Sequence, residues 1–547
     1  MAALGVVLLA LVPLIGTGSS FSADEGAAIV QAKSLDRGDG WIVEHPFSAV
    51  DPTDVNYPLE NSELGERGIS PYAKHPLYPL VLAGAHRVAG VPGMVLVSLA
   101  GTLCAAALAA LIARRLDEAL VRPTVWVVGL ASPLAFDGYV VIAHTVAAAL
   151  AAGAVLLALR ASERQSFGAA LAVAPCVAAA VLFRTEAVFF AAGLAVVAGA
   201  LGLASRRSRL PLLTVAGGAV LAAVVTMELE NRWTAHLVGA ASGSGSLAAS
   251  VPGGGVGRQM RGFLLTWLTT GYSTSGLVDL AVFVMAWGTV LAAVVVRRRP
   301  ERGRLVVGVS ALVAASAALA LAAGPVHLVP GLLIAFPLLA AGLVLLDRTV
   351  LGTETARLAL GSFVVFALGV IATQYERGGS GEWGGRYFAL GLPLVVPVAL
   401  LAVRNAGRRL DSAPRRAAAG ALVASMVAMT IMGVATLRES HRRTDAMNRA
   451  IRAGVGSLPP SEPRVVVATD GTLARKAWPT FDDVRLLLNY GDLQDLTGRL
   501  DAAGVRQFVV VTNTSPTAVN LGTRVQIVNA VEGTSAGHTR VLVVRIA

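Results

Sequence analysis

The chain has 547 residues, of which 55% are hydrophobic and only 14% charged, and its formal net charge is +11. A soluble fold of that composition lacks the polar side chains to cover its own surface, so lipid must solvate most of it. The basic residues fall in short clusters between apolar runs, which excludes the continuous basic face of a nucleic-acid binder. Two cysteines, Cys104 and Cys176, sit inside apolar runs and read as small hydrophobes rather than as halves of a disulfide.

Residues 1 to 18 are apolar and lack a charged leader, which predicts a short first spanning helix; a cleaved signal is the alternative. Residues 19 to 88 are polar and acidic, with ten Asp or Glu against five Lys or Arg, and form a first large loop. Further apolar runs fall near 89–113, 123–137, 140–159, 167–183, 187–204, 210–228, 276–297, 304–323, 330–347, 358–374, 387–403 and 417–436. With the first run they predict about thirteen helices. If the N-terminus is cytoplasmic, the inside loops carry twenty arginines against seven acids, as the positive-inside rule requires. The loop 19–88, the segment 229–275 and everything after 436 are then extracytoplasmic. Merging 123–137 with 140–159 would reverse the C-terminus, and the charge distribution argues against it.

The Gly/Ser-rich stretch 239–257 reads as a mobile loop. The tail changes pattern, with β-branched runs RVVVAT, QFVVVT and VLVVRI around a helical stretch, DLQDLTGRLDAAG. The architecture expected is an all-α polytopic transmembrane bundle over 1–436, closed by a small extracytoplasmic α/β domain over 437–547. That tail carries no phosphate loop, dinucleotide motif or metal-spaced Cys/His set.

Ions at a membrane boundary are costly, so each is a functional candidate. Asp24 and Glu25 follow the first span in FSADEGAAIVQAKSL. A carboxylate at the bilayer rim suits a general base; equally, Ser22 or Asp24 can cap a helix while Glu25 favours its positive end. YAKHPLYPL brings Tyr72, Lys74 and His75 to the next span, as cations for a phosphate or as interfacial anchors. FRTEAVFF places Arg184 and Glu186 in a long uncharged stretch: the pair can neutralise itself, or Arg184 can grip a lipid phosphate. The glycine-rich QYERGGSGEWGGRYFALGLPL holds Glu382, Trp383, Arg386 and Tyr387, which suit sugar stacking and a phosphate contact better than an aromatic belt. Asp137 and His144 in SPLAFDGYVVIAHT fall near the same face, where a lone His is more often packing than ligand.

An Asp-Glu pair after the first helix, KHPLYP, SPLAFDGYVVIAHT, FRTE and EWGGRYFALGLPL occur in that order. The arrangement resembles the GT-C superfamily of polyprenyl-phosphate-sugar-dependent glycosyltransferases, near its protein mannosyltransferase and aminoarabinose transferase branches. The resemblance implies a GT-C-like bundle in the plasma membrane and an inverting transfer at its extracytoplasmic face. It implies Asp24 as base with Glu25 beside it, donor-phosphate binding by Arg184 and Arg386 with Lys74 or His75 assisting, and a polyprenyl-phosphate sugar donor. Trp383, Tyr387, Glu382, Tyr72 and His144 are the candidates for sugar or acceptor. The chain lacks the central soluble repeats of the mannosyltransferases, and its tail resembles those of actinobacterial cell-wall glycosyltransferases. A cell-envelope glycan or glycolipid is therefore favoured over protein as acceptor. No cofactor is assigned and no metal site is predicted, since an acidic pair that could hold a divalent ion leaves no diagnostic spacing. The rival readings are a permease or flippase for a lipid-linked sugar, and a non-catalytic assembly protein.

Overall fold

The structure, a computed structural model, describes residues 1–59, 64–65, 68–69, 76–238, 256–270, 276–323, 328–373, 383–490, 492–514, 519–521, 525–532 and 539–546. Tyr72, Lys74, His75 and Glu382 lie outside the described residues, as does most of the stretch 239–257.

The membrane part comprises α1 (Ala2–Ile15), α2 (Ala23–Arg37), α3 (Leu77–Leu116), α4 (Val121–Trp126), α5 (Pro133–Asp137), α6 (His144–Arg164), α7 (Phe167–Leu171), α8 (Val173–Phe183), α9 (Ala187–Ala204), α10 (Arg209–Val238) and α11 (Val256–Leu268). It continues through α12 (Gly276–Arg298), α13 (Gly303–Ala322), α14 (Leu332–Ala335), α15 (Pro337–Leu345), α16 (Glu354–Thr373), α17 (Leu392–Gly407) and α18 (Ser412–Gly456). A two-residue hairpin, β1 (Leu64–Gly65) and β2 (Gly68–Ile69), interrupts the first loop. Among the described residues nine helices are long and apolar enough to cross a membrane, and α1 and the α7–α8 pair are shorter apolar helices. The chain is a multi-pass membrane protein.

Two of the runs read as spans are broken. The run 123–137 divides into α4, a π-helical turn over Val127–Ala131 and α5, where Ser132 caps and Pro133 occupies the first turn. The run 330–347 divides into α14 and α15, because Phe336 leaves helical geometry immediately before Pro337. Proline cannot donate the helical hydrogen bond and biases its predecessor out of the α region, so apolar composition did not here mean a continuous helix. Conversely, α3 starts twelve residues before the run that announced it, and its backbone departs from helix at Ala89 and Gly90, next to Pro92.

Helix α18 has 45 residues. At 1.5 Å per residue it extends about 68 Å, more than twice the hydrocarbon thickness. The run 417–436 marks only its apolar part. Beyond it Met447, Ala450 and Ile451 pack beneath the C-terminal sheet. That sheet has β3 (Val465–Ala468), β4 (Arg485–Leu488), β5 (Gln507–Thr512), β6 (Val525–Glu532) and β7 (Arg540–Ile546) in the order β4-β3-β5-β7-β6. Strand β3 is parallel to β4 and β5, while β7 is antiparallel to β5 and β6.

One sheet face meets α18 and the short helix α19 (Gly471–Lys476) through Val466, Val509 and Val541. The other meets α20 (Gln494–Ala502) and the first loop through Val467, Phe508 and Leu542, against Phe47, Val50 and Leu496. Burial on both faces is why these strands read as continuous apolar runs rather than alternating ones. The first loop is bound to this sheet. Asp51, fully buried, accepts from Arg499 at 3.1 Å and from the Asn56 backbone at 2.6 Å, and pairs with His45 at 3.0 Å. Asn56 in turn donates to the Leu488 carbonyl at 2.7 Å. The polar loop and the tail thus form one body above the bundle.

Candidate functional site

The site begins at the first turn of α2. Ser22 accepts from the Glu25 amide at 3.2 Å and donates its own amide to the Glu25 carboxylate at 3.5 Å, a reciprocal capping box, and the same carboxylate oxygen accepts from the Phe21 amide at 2.7 Å. The second oxygen of Glu25 accepts from the Val141 amide at 2.8 Å, tying α2 to the α5–α6 connection. Glu25 is 1% exposed. One of its oxygens holds the start of α2 and the other bridges to Val141, so Glu25 takes part in the cap that the sequence offered as an alternative. Asp24, one position earlier, turns the other way and keeps a partly exposed carboxylate.

Arg386 meets that carboxylate. Its Nη2 lies 2.8 Å from Asp24 Oδ2. The guanidinium stands 5.0 Å from the ring centre of Tyr387, and Arg184 stands 5.9 Å from the same ring on its own side. Two glycines set this geometry: Gly384 and Gly385 have φ of 66° and 62°, and a side chain on them would strike Pro133 and Thr266 respectively. Only glycine tolerates both the left-handed backbone and that approach. Arg184, between α8 and α9, also forks onto Glu186, with Nε to Oε2 at 3.0 Å. Arg184 therefore pairs with Glu186, and its charge is also felt at Asp24.

A third guanidinium comes from the C-terminal body, and no feature of the sequence announced it. Arg475 Nη1 approaches Asp24 Oδ1 at 3.4 Å from helix α19, whose N-terminus Asp470 caps. Closeness at Gly26 permits this: a Cβ there would lie 2.1 Å from the Arg475 carbonyl oxygen. Lys33 pairs with Asp482, Arg37 reaches Asp482 at 2.9 Å, and Lys33 also stands over Trp478. Helix α2 is thereby clamped along one side to the tail. The signal that could have found Arg475 is weak, a basic pair RK ending a six-residue helix.

Burial of Asp24 by itself would push its carboxyl up, but the charges of Arg386 and Arg475, the Arg386 hydrogen bond and the more distant Arg184 outweigh it and hold the carboxyl below its usual range. The resting site is an ionised carboxylate among three cations, a site that can receive an anion if the arginines exchange partner.

Two further candidates are buried. Trp383 is 4% exposed, with its ring stacked on Phe136 at 5.4 Å and 9° and both rings close to Gly433. It belongs to the core of the bundle and lines a small cavity there with Phe136 and Met429. His144 is buried at the start of α6, with Nδ1 3.3 Å from Asp137 Oδ2, so its polar edge serves an internal pair. Of the residues expected at the site, the structure gathers Asp24, Arg184, Arg386 and Tyr387.

No protein-family profile and no curated protein sequence matches the chain. Among solved structures it is similar to ArnT from Cupriavidus metallidurans bound to undecaprenyl phosphate, with 13% identity, a TM-score of 0.53, and 100% of this chain and 98% of that chain covered. It is similar also to ArnT from the same organism in the apo state, with 13% identity, a TM-score of 0.51, and coverage of 99% and 98%. A fainter likeness, at 11% identity and a TM-score of 0.47 over 93% of this chain and 68% of that one, is to the oligosaccharyltransferase AglB from Archaeoglobus fulgidus in complex with an inhibitory peptide and a dolichol-phosphate. The ArnT likeness spans the whole chain, membrane bundle and C-terminal sheet together. The likeness is one of fold, shared with ArnT over nearly the full length of both chains.

Proposed function

We propose that this protein is a glycosyltransferase of the plasma membrane that moves a monosaccharide from a polyprenyl-phosphate donor to an extracytoplasmic cell-envelope acceptor, with inversion. The observation that carries the reading is the meeting of Asp24 with Arg386, Arg475 and Arg184 at the rim of a GT-C bundle. The arginine-rich loops favour the cytoplasm for the opposite end of the bundle, which leaves Asp24 and the C-terminal sheet outside.

In this mechanism the donor's phosphodiester takes Arg386 and Arg184 away from their carboxylates. Asp24 loses a cation, its basicity rises, and it accepts the proton of the acceptor hydroxyl. The acceptor oxygen attacks the anomeric carbon as the carbon–phosphate-oxygen bond breaks, and the electron pair leaves on the polyprenyl phosphate. A phosphate leaving group is stabilised by fixed cations and requires no general acid. Tyr387, lying against both guanidiniums, positions them.

Asp24→Asn tests the reading. Turnover with a defined panel of polyprenyl-phosphate sugars should fall by orders of magnitude while donor binding persists, since proton abstraction is what is lost. Absence of sugar transfer by the wild-type protein, with lipid-linked sugar transported equally by both forms, would replace the enzyme by a permease.

A further inference from the structure

A second ligand site lies at the other end of the bundle. Helix α17 starts just after the turn that carries Arg386 and runs about 24 Å, at 1.5 Å per residue, to its end at Gly407. There the ends of α12, α13, α15, α17 and α18 enclose a cavity of about 380 Å³. Its wall is mostly small apolar side chains such as Ala293, Val313, Ala341 and Ala421, with the hydroxyls of Thr289 and Ser310 among them. Its mouth is formed by Arg404, Arg408 and Arg415.

The charges around this mouth do not balance. Asp117 pairs with Arg404, and Asp347 pairs with Arg409. Arg408 and Arg415 are exposed, and Arg416, Arg348 and Arg297 to Arg299 belong to the same ends and loops, where Asp411 and Glu301 are further acids and the cations outnumber them. An apolar cleft between helices with several cations at its opening accepts an amphiphile with an anionic head, and not a neutral or soluble anion, which would gain nothing from the alanine wall.

We infer that this cleft binds one anionic diacyl phospholipid of the adjacent leaflet, with an acyl chain between α13 and α18 and the phosphate at Arg408 and Arg415. The inference is independent of the transferase reading, because none of these residues touches the Asp24 site. Lipid bound there would touch five helices, among them α17, which follows the Arg386 turn, and α18, which leads to the C-terminal sheet.

Native mass spectrometry of the full-length purified protein, titrated with phosphatidylglycerol or with phosphatidylcholine, tests this. Wild type should retain one phosphatidylglycerol under conditions that strip phosphatidylcholine. Arg408→Gln with Arg415→Gln, both exposed positions, should weaken that retention roughly tenfold or more while leaving the fold intact. Ala421→Trp, which fills the cleft, should abolish it, whereas Val423→Trp, on the exposed face of the same helix, should leave it unchanged. Equal retention of both lipids by the wild type, or phosphatidylglycerol bound as tightly by the double variant, would overturn the site. Displacement of phosphatidylglycerol by equimolar polyprenyl phosphate would overturn the assignment of its occupant.

Discussion

Arg386 and Asp24 are 2.8 Å apart, although one follows the glycine-rich turn before α17 and the other opens the helix after the first span. The ion pair joins the residue proposed to hold the donor phosphate to the residue proposed to take the acceptor's proton, so each occupies the other's binding position in the unliganded protein. Donor binding must therefore break this pair.

Arg386→Ala should weaken donor binding and turnover together, whichever acceptor is supplied. Arg386→Lys should be impaired less, since it keeps the charge and loses the planar fork. A double-mutant cycle with Asp24→Asn, read by thermal unfolding without donor, should give a coupling of about 0.5–3 kcal/mol for the resting pair. Normal donor affinity in folded Arg386→Ala would defeat the phosphate-ligand role while leaving the ion pair standing.

The pH dependence follows from the lowered carboxyl of Asp24. A group depressed in the folded state contributes stability above its unfolded value of 3.8, and that contribution is lost as pH falls through the lower folded value. The acid limb of kcat/KM for the free protein should accordingly lie below the ordinary carboxylate range. Arg475→Gln removes one of the cations responsible and should move that limb to higher pH, while Arg475→Lys largely restores it. A limb unmoved by Arg475→Gln would reduce Arg475 to an anchor for α19.

Gly26→Ala provides a test of the clamp between α2 and the tail. In an open helix that change stabilises by about 1 kcal/mol. Here the new Cβ would lie 2.1 Å from a backbone oxygen of Arg475, so the sign should reverse, with a loss of about 1–3 kcal/mol as the backbones separate. Thermal unfolding reads the loss, and proteolysis should show the tail freed before the bundle melts. Ordinary stability with a protected tail would show that the two bodies are held elsewhere.

Orientation can be measured by impermeant thiol labelling of intact cells, in a background where Cys104 and Cys176 are replaced. A cysteine at Asp495 on α20 should label from outside, and one at Arg302 between α12 and α13 should not. The reverse pattern would put Asp24 in the cytoplasm and remove its external acceptor.

The solvent and the structural class of this chain are written in its residue order. Apolar runs of membrane length specified the bundle, and the β-branched runs after 460 specified a sheet, because hydrophobic patterning is local and survives without any knowledge of contacts. The costly ions Asp24, Arg184 and Arg386 were also legible, since a charge at a membrane boundary is conspicuous against an apolar background. What patterning could not distinguish was a continuous span from the broken helices at 123–137 and 330–347, where proline and backbone geometry override composition.

Which of two adjacent carboxylates faces the site was settled by packing alone. Asp24 and Glu25 are chemically alike, and the difference is that the Val141 amide and the capping box take both oxygens of Glu25 while α2 turns Asp24 toward Arg386. Packing likewise placed Trp383 in the core, where Phe136 stacks on its ring, and brought in Arg475 from a polar stretch in which an arginine is unremarkable. A buried or exposed face, and a partner hundreds of residues away, arise where elements meet in three dimensions, and side-chain identity alone does not encode them.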